Sequence, residues 1–266
     1  MNINKVWTVS FSPTGTSRKI VAAIAASFSG IACSSLDLTY PQDDVKKTFK
    51  TDELVVIGVP VYAGRVAPLA VSRLQGMKGS STPAVLVVLY GNRDYEDALL
   101  ELRDLAAAAS FIPVAASAFI GEHSFSARHL PIAEGRPDRD DLLSAASFGT
   151  GVFERITSLE DPGAFPLLQV PGNTPYKERA GSPPVTPSVD AAVCTLCGLC
   201  IDTCPGGAIA TGDDGLSMDV VRCIFCCACI RVCPEEAISI GALPLVEKRQ
   251  WLHENCAERK EPELYF

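Results

Sequence analysis

Eight cysteines stand in two copies of one spacing. Cys194, Cys197, Cys200 and Cys204 precede Pro205, and Cys223, Cys226, Cys229 and Cys233 precede Pro234, each set reading C-x2-C-x2-C-x3-C-P. Thiolate is a soft ligand suited to iron–sulfur clusters and to zinc. Three cysteines this close can wrap one cube, while the fourth points away and serves the other, as the bacterial pattern describes. One 4Fe-4S cluster would then take Cys194, Cys197, Cys200 and Cys233, and the other Cys223, Cys226, Cys229 and Cys204. Structural zinc is the rival reading, but its cysteine pairs usually sit far apart and are not triplets with a trailing Cys-Pro. The flanking residues repeat as well: CTLCGLCIDTCPGGAIA returns as CIFCCACIRVCPEEAIS at an offset of 29 residues. Cys227 falls outside the register and is expected to be a small buried side chain near the second cluster. Cys33 and Cys256 read as ordinary thiols.

A second constellation lies in the first half, in three loops that each follow an apolar run. The first is Ser12, Pro13, Thr14, Gly15, Thr16 and Ser17, rich in hydroxyls and opening a helix. A helix N-terminus offers free N–H groups and a positive dipole end, which suits a phosphate held without a lysine. An ordinary N-cap cluster is the plainer alternative, since Ser and Thr favour that position. No G-x4-G-K-[ST] and no G-x-G-x-x-G is present. The second loop is Pro60, Val61, Tyr62, Ala63, Gly64 and Arg65; the third runs through Tyr90, Gly91, Asn92, Arg93, Asp94 and Tyr95. Tyr62, Tyr90 and Tyr95 could stack on a flat ring, with Arg65 and Arg93 offsetting negative charge on it.

The elements that must hold these loops alternate along the chain. Strands are predicted at Lys5–Phe11, Ser34–Leu38, Glu53–Pro60, Ala84–Tyr90 and Pro113–Gly121. Helices are predicted at Ser17–Phe28, Pro68–Gln75, Asp94–Ala109 and Asp138–Ser158. Continuous apolar runs such as ELVVIGVP suit strands buried on both faces. The alternation implies a parallel sheet with right-handed crossovers, which places ligand-bearing loops at the carboxyl ends of the strands. Between Glu160 and Pro187 lie seven prolines, so this stretch reads as a non-helical linker, either a passive spacer or a strap over one domain. The expected organisation is residues 1–159, a linker at 160–187, a cysteine domain at 188–241 and a tail at 242–266. The tail, with Trp251, His253 and Cys256, is expected to be a packing helix.

Composition bounds the function. The apolar fraction is 47 %, the charged fraction 20 % and the net charge -8, which argues against nucleic acid as the main partner. From Ser188 onward there are six Lys and Arg against twelve Asp and Glu, so a basic redox partner could dock on that half. No secretory signal and no membrane span is read, and a cytoplasmic protein is the expectation. The linker is long enough for the clusters to serve the first domain of their own chain or of a neighbour, which leaves a homodimer open.

The cysteine half, about Pro187–Gly241, resembles the bacterial two-cluster ferredoxins, which implies a small α+β fold with pseudo-twofold symmetry and one-electron transfer. The first half, about Met1–Leu159, is similar to the flavodoxin family through the segment FSPTGTS. That resemblance implies an α/β doubly wound five-stranded parallel sheet of order 2-1-3-4-5 and non-covalent FMN. Its phosphate would sit on Ser12–Ser17 and its ring between the loops at Tyr62 and Tyr90. Thr16 stands where many members carry asparagine, the second loop has no tryptophan, and Glu122–Gly135 is longer than a simple turn. The whole order resembles flavodoxin–ferredoxin fusion proteins of anaerobes. The function expected is an electron carrier passing electrons among FMN, two 4Fe-4S clusters and an external redox protein. The alternatives are an FMN-dependent reductase, with His123 as candidate acid, and a regulatory cluster protein whose first domain no longer binds flavin.

Overall fold

A computed structural model describes residues 2–41, 46–158, 165–179, 185–213 and 215–266. In chain order its elements begin β1 (Lys5–Ser10), α1 (Thr16–Ala26), β2 (Ala32–Asp37), β3 (Lys47–Thr48), β4 (Glu53–Tyr62), β5 (Arg65–Val66) and α2 (Pro68–Leu74). They continue with β6 (Met77–Lys78), β7 (Thr82–Tyr90), α3 (Ala98–Ala108), β8 (Phe111–Ile120) and α4 (Arg139–Ser158). β2, β1, β4, β7 and β8 lie side by side in that order and all pair in parallel. Counting the long strands alone, this is the flavodoxin-like order 2-1-3-4-5.

Two cores flank the sheet, as the period of two in a strand demands. On β4, Val55, Ile57 and Val59 enter one core, and Leu54 and Val56 the other. β4 and β7 are central, and every residue from Thr82 to Tyr90 is buried. α1 packs so closely on β4 that a Cβ at Gly58 would stand 2.3 Å from Cγ1 of Val21. Only glycine lets the helix descend there.

The described part of the proline-rich segment is a strap across α3. Leu168 is buried in the first core. The Asp97 carboxylate accepts the amides of Asn173 (2.8 Å) and Lys177 (2.6 Å). Glu101 accepts from Arg179 at 2.5 Å. Residues 160–164 and 180–184, also within the expected linker, lie outside the described residues.

The cysteine region continues with β9 (Ser188–Val189), α5 (Leu199–Asp202), β10 (Ile209–Gly212), β11 (Gly215–Met218), α6 (Ala228–Val232) and β12 (Ile238–Ser239). Its two repeats exchange strands: β9 pairs with β12, and β10 with β11. The exchange is reciprocal in its hydrogen bonds. The Asp190 amide donates to Ala237 O (2.8 Å) and the Asp219 amide to Ala208 O (2.7 Å).

The tail forms the expected helix, α7 (Leu243–Asn255), and then a strand, β13 (Glu263–Tyr265), that sequence reasoning did not anticipate. β13 adds to the free edge of β8 in antiparallel sense. Three residues carry no periodic signal, and only the open edge selects them. Among the described residues, no helix is long and apolar enough to cross a membrane.

Candidate functional site

At the carboxyl ends of the parallel strands lies a cavity of about 60 Å³. From the loops singled out by sequence it draws Ser12, Pro13, Thr14, Thr16, Ser17, Pro60, Val61, Tyr62, Tyr90 and Gly91. It also draws Gly121, Glu122, His123 and Ser124, which follow β8, and Cys226 from the cysteine region. His123, already raised as a candidate, follows the fifth strand, where the strand-end rule that located the first three loops applies equally. Nothing local announces Cys226.

The loop before α1 is built to present donors. Gly15 adopts φ 82° and caps the helix without a side-chain bond, so the chain turns sharply into Thr16. The Ser12 amide donates to Thr39 Oγ1 (2.8 Å), and Ser12 Oγ accepts the Arg18 amide (3.1 Å). Ser17 is fully buried, yet its hydroxyl has no partner among the described residues. A buried hydroxyl without a partner costs about 1–3 kcal/mol. An acceptor placed in the cavity would relieve it.

The other loops divide. β4 turns through Ala63 (φ 52°) and Gly64 (φ 81°) into β5, a tight hairpin that leaves Tyr62 on the cavity and takes Ala63 and Gly64 off it. Arg65 turns away entirely. Its guanidinium grips Glu101 through Nε and Nη2, both at 2.9 Å. Arg93 pairs with Glu96 at 2.6 Å. Neither arginine lines the cavity. Asn92 donates to Cys256 O (2.7 Å) and Glu258 O (2.8 Å), so it anchors the tail. Tyr95 packs on Tyr90 with centroids 5.4 Å apart, and its hydroxyl meets Glu263 and Tyr265 of β13, each at 2.8 Å.

His123 stands over Gly91, where a Cβ would meet its Cδ2 at 2.2 Å. Its Nδ1 accepts the Phe125 amide at 2.9 Å, which puts the proton of the neutral ring on Nε2. Burial, reinforced by Arg231, Lys248 and Arg93, lowers its pKa to about 4. At neutral pH it is an uncharged imidazole, poorly suited to the acid role raised for it.

Beside this cavity lies a smaller, apolar one of about 20 Å³, lined by Cys204, Cys223, Cys226, Cys227 and Cys229 with Ile209, Ile224 and Phe225. Cys204 belongs to the first repeat and the other four to the second. Cys194 and Cys197 are close enough to Cys200 to raise its pKa electrostatically, after burial. Cys233 packs with Cys200 in the region's core. The backbone aims amides at sulfur in matched places: Ala208 N to Cys204 Sγ (3.2 Å) and Ala237 N to Cys233 Sγ (3.3 Å). Burial pushes the Cys226 and Cys229 thiols up to about 12. Ligands must lose their protons, so metal binding here is coupled to proton release. Among the described residues no three His, Cys, Asp or Glu side chains converge as the ligands of one metal ion. A cube makes a different demand, because its thiolates ring a volume.

The two cavities share Cys226. Burial raises the Tyr62 phenol well above its ordinary pKa, and the thiols of Cys226, Cys227 and Cys223 add to the rise.

Residues 186–234 match the 4Fe-4S dicluster domain family. The chain joins a parallel sheet of flavodoxin-like order to a region that matches this family. The comparison with curated proteins found no match. Among solved structures, a flavodoxin from the domain Archaea matches at 14% identity, covering 57% of this chain and 99% of that one, with a TM-score of 0.36. Flavodoxin 1 from Bacillus cereus matches at 10% identity over 56% of this chain and 97% of its own, with a TM-score of 0.40. Rubredoxin oxygen:oxidoreductase from Desulfovibrio gigas matches at 13% identity over 59% of this chain, with a TM-score of 0.41, but only 37% of its length is spanned.

The cysteine region is bound to the parallel-sheet part by direct contacts. Arg73 Nη2 donates to Pro205 O (2.5 Å), and Arg231 Nη2 to His123 O (2.8 Å). Phe225 meets Phe125 edge-on, with centroids 5.7 Å apart. Cys256, read as an ordinary thiol, is buried with Ile132 and Leu252 where α7 packs on the fold; Cys33 is exposed.

Proposed function

We propose that this protein transfers electrons between FMN, held at the strand ends, two 4Fe-4S clusters and an external redox protein. The cluster ligands are Cys194, Cys197, Cys200 and Cys233 for one, and Cys223, Cys226, Cys229 and Cys204 for the other. The observation that carries the reading is the one cavity that Cys226 shares with the hydroxyls of Ser12, Thr14, Thr16 and Ser17. The fit to FMN is best at the phosphate end, where the buried Ser17 hydroxyl lacks an acceptor. The whole cavity is about 60 Å³, room for only a few waters. A flavin ring is larger, so His123 or Tyr62 must turn aside to admit it. Bound there, FMN would supply the exchange between two-electron and one-electron chemistry. The chain's own part is to orient the ring between Tyr62 and Tyr90 and to exclude water. Carrying both cofactor sites on one chain makes their encounter intramolecular.

The narrow ring end also favours a second reading, in which the flavodoxin-like fold is a flavin-free scaffold for the clusters. Anaerobic reconstitution of the full chain, followed by iron, acid-labile sulfide and flavin analysis, separates the two. About eight irons with one FMN per chain supports the carrier. About eight irons with no flavin at saturating FMN supports the scaffold.

A further inference from the structure

The two repeats are nearly equivalent in backbone and unequal in surroundings. Leu196 corresponds to Phe225 and Leu199 to Ala228 at the 29-residue offset. Leu196 is 50% exposed and Leu199 43%, with Val193 beside them at 46%. In the second repeat Ala228 is 3% exposed and Cys227 1%, while Phe225 packs on Phe125 of the flavodoxin-like fold. The matched ligands follow suit: Cys197 is exposed and Cys226 is buried. Cys226 is also the only cysteine among the residues that line the strand-end cavity.

We infer that the two cluster sites have different tasks: the Cys223–Cys229 loop exchanges electrons with the flavin site across the Tyr62–Cys226 wall, and the Cys194–Cys200 loop exchanges them with the outside. This rests on the cofactor assignment proposed above. With the cofactors bound, one electron from a one-electron protein donor would enter at the site of Cys194, Cys197, Cys200 and Cys233, and its onward loss through the Cys223–Cys229 loop to FMN would leave both cluster sites in their starting oxidation state, the donor oxidised and the flavin reduced by one electron. The reverse route delivers it to a one-electron protein acceptor. Tyr62 acts as a positioning residue, separating the inner thiols from the ring site.

The test is an electron paramagnetic resonance redox titration of the full-length, cluster-loaded chain, with and without FMN. Leu196→Lys marks the outer cluster by adding a positive charge at an exposed position and leaves all eight thiols in place. The expected result is that FMN shifts the potential or line shape of the unmarked signal only. Tyr62→Phe, measured without FMN, shifts that same signal. A response confined to the marked signal, or no response while FMN is bound, overturns the inference and leaves the carrier reading intact. If FMN does not bind, the carrier reading fails, and the Tyr62→Phe arm alone decides which cluster adjoins the strand ends.

Discussion

Gly198 and Cys227 occupy the same place in the two cysteine repeats, and both cap a short helix from the left-handed region, at φ 82° and φ 59°. Glycine adopts that conformation freely, whereas a residue with a Cβ is held there at a cost of about 1–2 kcal/mol. Cys227 offsets the strain by burying its side chain among Phe225, Ile240 and Leu245. Cys227→Gly should therefore change stability by no more than about 1 kcal/mol and keep the full iron content. Cys227→Val, a β-branched residue at positive φ, should cost about 2 kcal/mol or more and lower cluster occupancy. Denaturant melts with iron analysis check both.

Glu101 is the anchor of the strap. It accepts four hydrogen bonds, from Arg65 Nε and Nη2, Val66 N and Arg179 Nη2. Both Glu101 and Arg65 are buried. Glu101→Ala leaves a buried guanidinium without its partner, which costs about 3–5 kcal/mol. Equilibrium unfolding should show that loss, and limited proteolysis should show faster cutting near Lys177 and Arg179. An exposed pair such as Arg18 with Asp37 (3.2 Å) should be worth less than about 1 kcal/mol by the same assay.

Ser17 separates folding from binding. Its hydroxyl is buried without a partner among the described residues, so Ser17→Ala should leave stability unchanged or slightly higher. A hydrogen bond to a charged acceptor is worth about 1.5–3 kcal/mol. FMN affinity, followed by flavin fluorescence titration, should therefore fall about tenfold or more. An unchanged affinity would remove Ser17 from the phosphate site.

His123 sets a pH dependence. Its pKa falls from 6.5 to about 4, chiefly by burial. The unfolded chain thus binds the proton more readily than the folded one between these values. The stability that His123 contributes is complete above about pH 6.5 and is lost as the pH falls toward 4. The loss should reach up to about 3 kcal/mol. Urea melts of the wild type and His123→Gln from pH 7 to pH 4.5 should converge as the pH falls. Proton-detected titration of the His123 ring should show no charging at pH 5.5.

The sequence by itself determined whatever depends on neighbours along the chain. Cysteines within eleven residues of one another and a repeat at 29 residues are local patterns, and they specify two like loops whatever packs around them. The apolar runs at Glu53–Pro60 and Ala84–Tyr90 likewise required buried strands, while the sheet order came only with the resemblance to the flavodoxin family. Tertiary structure alone decided which faces met. Arg65 and Tyr95 sit in loops of the right composition, but the first neutralises Glu101 and the second braces β13. Those partners lie 36 and about 168 residues away, and no local signal records them. The meeting of Cys226 with Tyr62 is of the same kind. Two repeats of one cysteine spacing can present either loop to the flavodoxin-like fold, and the choice came from complementary surfaces, Phe225 on Phe125 and Arg231 on Glu122, that exist only after both parts have folded.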